Sequence, residues 1–265
     1  MSGAGEIVWT PSEAFARTTN WFKFLAHAGV PDLETLNARA SREPEWFWQT
    51  LIAFQQFPFL KPFERVLDLS DGIAFPRWCV GGTTNLTLAC LDRHIAAGRG
   101  GDLAVVFEAE DGAVEQLTYA ELYQRTCRLA SGLAKLGLTA GDRVGIFMPM
   151  MAESVVGYLA LARLGCIVLP LFSGFGPAPL VDRLKDGGAV AVLCVDASLR
   201  RGNRIDMKAV LDEAAADIPT LKTVVMKNRF GAPLVPGRDH DWDAVLASGA
   251  PDVPAAELPA DAPLM

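Results

Sequence analysis

The sequence predicts an α/β fold: a parallel sheet built from β-α-β crossovers, preceded by an aromatic-rich, mainly helical segment. From Arg143 onward, apolar runs alternate with helix-sized segments, the pattern of parallel strands joined by crossover helices. The runs are continuous rather than alternating polar with apolar, as strands covered on both faces require. Ahead of them, rings crowd the chain from Trp9 to Trp78. That density reads as a segment laying rings onto another surface rather than building a core of its own.

Helices are expected over Pro11 to Ala28, Asp32 to Ala40 and Glu43 to Ala53. Leu103 to Glu108 and Glu115 to Thr118 flank Asp111-Gly112, a hairpin signal. Thr118 and Glu121 fit a capping box, and the helix they open stops at Gly137. The alternation then runs strand Arg143 to Met148, helix Met151 to Leu164, strand Cys166 to Leu171 and helix Pro177 to Lys185. It continues with strand Ala189 to Val195, helix Ile205 to Ala216 and strand Thr223 to Met226. Gly249 to Met265, with four prolines, reads as a connecting loop. Pro263-Leu264-Met265 reads as the first residues of a further strand.

Composition narrows the functional classes. Of 265 residues, 51% are hydrophobic and 21% charged, enough for a large core and too apolar for a disordered chain. A net charge of −7 argues against general nucleic-acid binding, which needs a clustered positive field. The longest apolar runs are broken by Arg163, Gly165 or Pro170, well short of the ~20 residues that span a bilayer. Met1 to Thr10 shows no signal peptide. The 5 cysteines are scattered with no C-x-x-C, which fits reduced thiols and a cytoplasmic setting.

Few motifs carry chemistry by spacing. Gly174-Phe-Gly176 lies where a dinucleotide fingerprint would, but Pro179 takes the place of the third glycine, so a tight β-α turn is the plainer reading. Gly81 to Asn85 offers backbone N–H groups to a phosphate, or else a polar helix cap. Cys90 and His94 share a helical face without a second ligand pair for zinc. Arg238 to Asp243 mixes acids and a histidine in an expected loop, and Asp142 and Glu153 have no evident acid–base partner. Arg200, Arg201 and Arg204 cluster just beyond the end of an expected parallel strand. Ligands of open α/β sheets collect at that edge, and guanidinium pairs with phosphate in bidentate fashion. A solvated basic turn is the alternative.

In order, the segments resemble one family, the acetyl-CoA synthetase-like, AMP-forming acyl-CoA synthetases. The carrying residues include Asn20-Trp21-Phe22, Trp46-Phe47-Trp48, Trp78 to Asn85, Cys90 to His94, Leu117 to Leu122 and Gly141 to Pro149. Leu161 to Gly165, Phe172 to Phe175, Leu180 to Leu184 and Arg200 to Lys208 complete the set. The resemblance implies an acetyl-CoA synthetase-type N-terminal segment over residues 1–85 and the first part of an AMP-binding domain over residues 86–265. It implies activation of acetate or another short-chain carboxylic acid with ATP and Mg2+, then transfer to CoA. It also implies that the phosphate loop and the C-terminal domain lie beyond Met265, so that residues 1–265 alone form no adenylate and hold no catalytic residue. A CoA-contacting turn, Arg-x-Gly-Arg in bacterial relatives, falls on Arg200, Arg201, Gly202 and Asn203, with Asn203 where a second arginine is expected. A non-catalytic CoA- or nucleotide-binding module acting through a partner, or a purely structural fragment, are the competing readings.

Overall fold

The computed structural model describes residues 8–110 and 112–265; Asp111, half of the expected hairpin signal, and Met1 to Ile7 lie outside the described residues. The chain divides into two compact units, one reaching up to Phe57 together with Phe63–Val80, the other Pro58–Pro62 with Gly81–Met265.

The first unit is helical. The expected helix from Pro11 to Ala28 is two helices, α1 (Glu13–Thr18) and α2 (Asn20–Ala28), because Thr19 is extended and its hydroxyl caps α2 by accepting from the Phe22 N–H. Asp32 caps α3 (Leu33–Arg42), and Pro44 opens α4 (Pro44–Gln55), where its missing N–H costs nothing. Strands β1 (Arg65–Asp68) and β2 (Arg77–Val80) pair antiparallel. Phe24, Leu36 and Val66 are buried, and the Phe24 ring meets Phe47 at 6.0 Å and Phe54 at 5.2 Å. The aromatic segment thus has a small core of its own, contrary to expectation, while Trp9, Trp21 and Phe75 remain exposed.

The second unit holds the sheet. It opens with β3 (Thr83–Thr84), a π-helical turn (Leu88–Asp92) and α5 (Arg93–Ala96). The hairpin β4 (Leu103–Glu108) with β5 (Val114–Thr118) follows, and the complete capping box of Thr118 and Glu121 starts α6 (Tyr119–Lys135). Then come β6 (Arg143–Phe147), α7 (Ala152–Leu164), β7 (Ile167–Pro170), α8 (Pro177–Asp186) and β8 (Ala191–Val195). After β9 (Ser198–Arg200) and β10 (Asn203–Ile205) the chain forms α9 (Met207–Ala215), β11 (Thr223–Lys227), β12 (Asp239–Asp241), α10 (Trp242–Ser248) and β13 (Leu258–Pro259).

Five strands form one parallel sheet in the order β12-β11-β8-β6-β7. Every residue of the central β8 is buried, which explains its unbroken apolar run.

Elements of this unit differ from expectation: the expected loop from Gly249 to Met265 contains β13, and Pro263-Leu264-Met265 lies outside any strand. The start of the expected helix at Ile205 is the end of the β9–β10 hairpin, and α9 begins at Met207. The expected loop from Arg238 to Asp243 contains β12 and the start of α10. An Asp-His-Asp strand opposes local propensity; ion pairs from Asp239 to Lys208 and Arg238 stabilise it.

Helices α6 and α10 approach closely because Gly132 presents no side chain. A Cβ built there would lie 2.3 Å from the Val245 carbonyl oxygen. Gly132→Ala is expected to force the two helices apart and lower stability by about 1–3 kcal/mol, measured as a shift in the urea midpoint.

Candidate functional site

The candidate site lies beyond the C-terminal ends of β7 and β8, where open α/β sheets take their ligands. Its foundation is Asp196, the residue after β8. The Asp196 carboxylate is buried and accepts from the N–H groups of Ala197 (2.9 Å), Arg229 (2.9 Å) and Phe230 (2.6 Å). Burial alone would push this carboxyl up; the backbone donors outweigh it and hold it below the usual range. A single side chain therefore ties the loop after β11 to the end of β8.

From this base the β9–β10 hairpin projects outward, Arg200 pairing with Asn203. Its two turn residues, Arg201 and Gly202, have φ of +53° and +74°, the left-handed pair that matches hairpin twist. Glycine adopts this freely. Arginine does so at a cost, which the surrounding ladder sustains.

Arg200, Arg201, Gly202 and Asn203 are all exposed at the tip. The Arg200 guanidinium lies over the Phe172 ring, 5.5 Å from its centre. It reaches this position across Gly174, where an added Cβ would sit 2.9 Å from Arg200 Nη1. The glycine of the β7–α8 turn thus makes room for an arginine, while Gly176 precedes α8 as its cap and Pro177 occupies the first helical position.

Asn203 Nδ2 donates to the Arg201 carbonyl at 3.3 Å. Arg204, the next residue of β10, has other partners. Successive strand residues face opposite sides, and Arg204 instead donates to Asp206 at 2.6 Å and covers the Phe230 ring at 5.0 Å. Beside the turn lies a cleft of about 190 Å³ whose walls include Glu110, Met150, Leu199 and Arg229. The arginines and the turn's N–H groups suit holding an anion rather than moving a proton, and the carboxylate of Glu110 stands beside them in the cleft wall.

The other sequence candidates serve the fold. Within Gly81 to Asn85, Thr83 and Thr84 form β3, and the buried Asn85 donates to the carbonyls of Ala162 (2.8 Å) and Ala256 (3.0 Å). His94 stacks on Tyr119 with ring centres 4.4 Å apart. Among the described residues, no three His, Cys, Asp or Glu side chains converge as a metal site. Asp142 accepts from the Thr139 N–H at 2.8 Å, and Glu153 pairs with Lys227 at 3.5 Å.

Two charged side chains that spacing did not single out are buried structural centres. Arg163, inside α7, bonds Asp92 through both terminal nitrogens, at 2.9 and 3.1 Å. It also donates to the Val253 carbonyl at 2.6 and 2.8 Å and to Tyr123 Oη at 3.3 Å. Lys208, on α9, bonds Asp212 at 2.6 Å and Asp239 at 2.8 Å, and Arg238 closes the group by pairing with both carboxylates. A lysine in the first turn of an otherwise amphipathic helix is the one sequence signal that pointed there.

Comparison with known proteins agrees with this architecture. The AMP-binding enzyme family model matches residues 92–263, more than half of the chain, and the model for the acetyl-coenzyme A synthetase N-terminus matches residues 33–90. An acetyl-coenzyme A synthetase from Ralstonia nicotianae is 40% identical over 251 residues, covering 93% of this chain and 38% of that protein. One from Mycolicibacterium smegmatis is 39% identical, covering 83% of this chain and 24% of that protein. Among solved structures, an acetoacetyl-CoA synthetase from Streptomyces lividans superposes with a TM-score of 0.88 at 26% identity, over 97% of this chain and 40% of that one. The chain thus spans well under half the length of the relatives it matches.

Proposed function

The chain belongs to the AMP-binding enzyme family, and from that premise we propose that it is the N-terminal part of an AMP-forming acyl-CoA synthetase acting on acetate or a related short-chain acid. In the proposed reaction a carboxylate oxygen attacks the α-phosphorus of ATP and pyrophosphate leaves. The CoA sulfur, giving up its proton, then attacks the acyl carbon, and AMP leaves. Mg2+ would accompany ATP; the described residues offer no set of three candidate ligands for it. A cytoplasmic setting belongs to the same reading; the 5 scattered cysteines, with no C-x-x-C, suit reduced thiols. No described helix is long and apolar enough to cross a membrane.

The part assigned to this chain is to hold CoA at the turn formed by Arg200, Arg201, Gly202 and Asn203. The observation that carries this is Arg200, exposed at the sheet's C-terminal edge and seated against Phe172 across Gly174. Its charge and the turn's N–H groups suit the 3′-phosphate of CoA. A charge-assisted contact of this kind contributes roughly 1.5–3 kcal/mol, or about ten- to hundredfold in affinity.

Arg200→Ala is therefore expected to weaken CoA binding by that factor in a calorimetric titration, and to cost little with dephospho-CoA. Equal losses with both ligands would return the turn to a solvated basic loop. Asn203→Arg is expected to tighten CoA binding, because Arg204 is committed to Asp206 and Phe230.

A further inference from the structure

The anion-holding turn already carries an anion. Glu110, in the loop joining β4 to β5, accepts the backbone N–H of Arg201 through its carboxylate. The two residues are 91 positions apart in sequence, so this bond joins the tips of two separate hairpins. Among the described residues it is the one hydrogen bond made by the Glu110 side chain.

The donor it takes is significant. In a two-residue hairpin turn the flanking residues, here Arg200 and Asn203, are the ones paired across the ladder. The N–H groups of Arg201 and Gly202 lie at the tip, and consecutive N–H groups in a turn form a concave seat for anions. Glu110 fills one of these donor positions with a negative oxygen, between the cleft wall it shares with Leu199 and Arg229 and the two exposed arginines of the turn.

We propose that Glu110 is an internal stand-in for a phosphate: it latches the β9–β10 turn in the free protein and is displaced when a phosphoanionic ligand binds. The proposal rests on the reading of the turn as the CoA phosphate seat and adds the group that competes for it. The latch lowers apparent affinity by the fraction of molecules in which it is closed. It also selects, because a ligand without phosphate has no group to take the place of the carboxylate and leaves the latch closed.

The test is calorimetric titration of the chain and its Glu110→Ala and Glu110→Gln variants with CoA and with pantetheine, alongside Arg200→Ala. Removal of the carboxylate is expected to tighten CoA binding about three- to tenfold and leave pantetheine unchanged. Glu110→Gln, which keeps the shape and loses the charge, is expected to follow Glu110→Ala. Unchanged or weaker CoA binding in both variants, with Arg200→Ala still damaging, overturns the latch and leaves the CoA reading standing. If Arg200→Ala binds CoA as the unmodified chain does, or if no form binds it, the turn is no phosphate seat and the latch falls with it.

Discussion

Replacing Arg163 by alanine is expected to lower the stability of the second unit by about 3–5 kcal/mol, the cost of removing one partner of a buried ion pair. The side chain is 2% exposed, and its guanidinium satisfies Asp92, Tyr123 and the Val253 carbonyl together. Deletion leaves those acceptors unpaired and opens a large cavity in α7, so transfer and desolvation costs add. Arg163→Lys is expected to restore little, since three rotating donors cannot replace a planar fork of five. The segment around Val253 has a second tie, the Ala256 N–H donating to the Arg163 carbonyl at 2.8 Å. Limited proteolysis is therefore expected to cut first between Gly249 and Glu257 in the alanine variant. A loss below about 1 kcal/mol in urea denaturation would show the network to be dispensable.

Asp239→Asn is expected to cost a similar ~3–5 kcal/mol, because it leaves Lys208 and Arg238 with one carboxylate between them in a largely closed interior. Exchanging Lys208 and Asp239 together for Met and Leu is expected to recover much of the loss, since apolar replacements of a whole buried pair are often neutral or better. The network also predicts a pH response. Burial would raise the Asp239 carboxyl, but bonds from Arg238 and Lys208 prevail and hold it below its ordinary value. A carboxyl depressed in the folded state contributes stability that is present above its unfolded value near 3.9 and is lost as pH falls through the folded value. Acid unfolding of the unmodified chain is thus expected to begin at pH values where Asp239→Asn shows a flatter profile, as followed by circular dichroism.

The legible parts of the fold were those in which local pattern and burial agree. The expected strand from Ala189 to Val195 is a strand from Ala191, because that stretch is covered on both faces, and Thr118 with Glu121 starts a helix because each satisfies the other's backbone donor. Asp239–Asp241 was illegible because its strand character depends on cations from Lys208 and Arg238, the first of them distant in sequence. The same applies to the site. Three arginines near a strand end suggest an anion seat or a solvated basic turn, but spacing could not show that Arg204 turns aside to Asp206. Nor could it show that Glu110 arrives from another hairpin.

The parallel sheet has two unlike rims. At one, β12 is three residues long and bears two aspartates, short and charged in the manner that discourages pairing with another molecule. At the other, β7 would present open donors, yet the Val168 N–H is already engaged at 2.9 Å by the carbonyl of Leu264, a residue outside any strand although the sequence suggested one beginning there. Recruitment of a foreign strand is thus resisted by electrostatics on one rim and by occupancy on the other. The protections differ in kind: salt weakens the first, while peeling away the few residues around Leu264 abolishes the second. Self-association through β7 would then track the detachment of that short stretch rather than global unfolding.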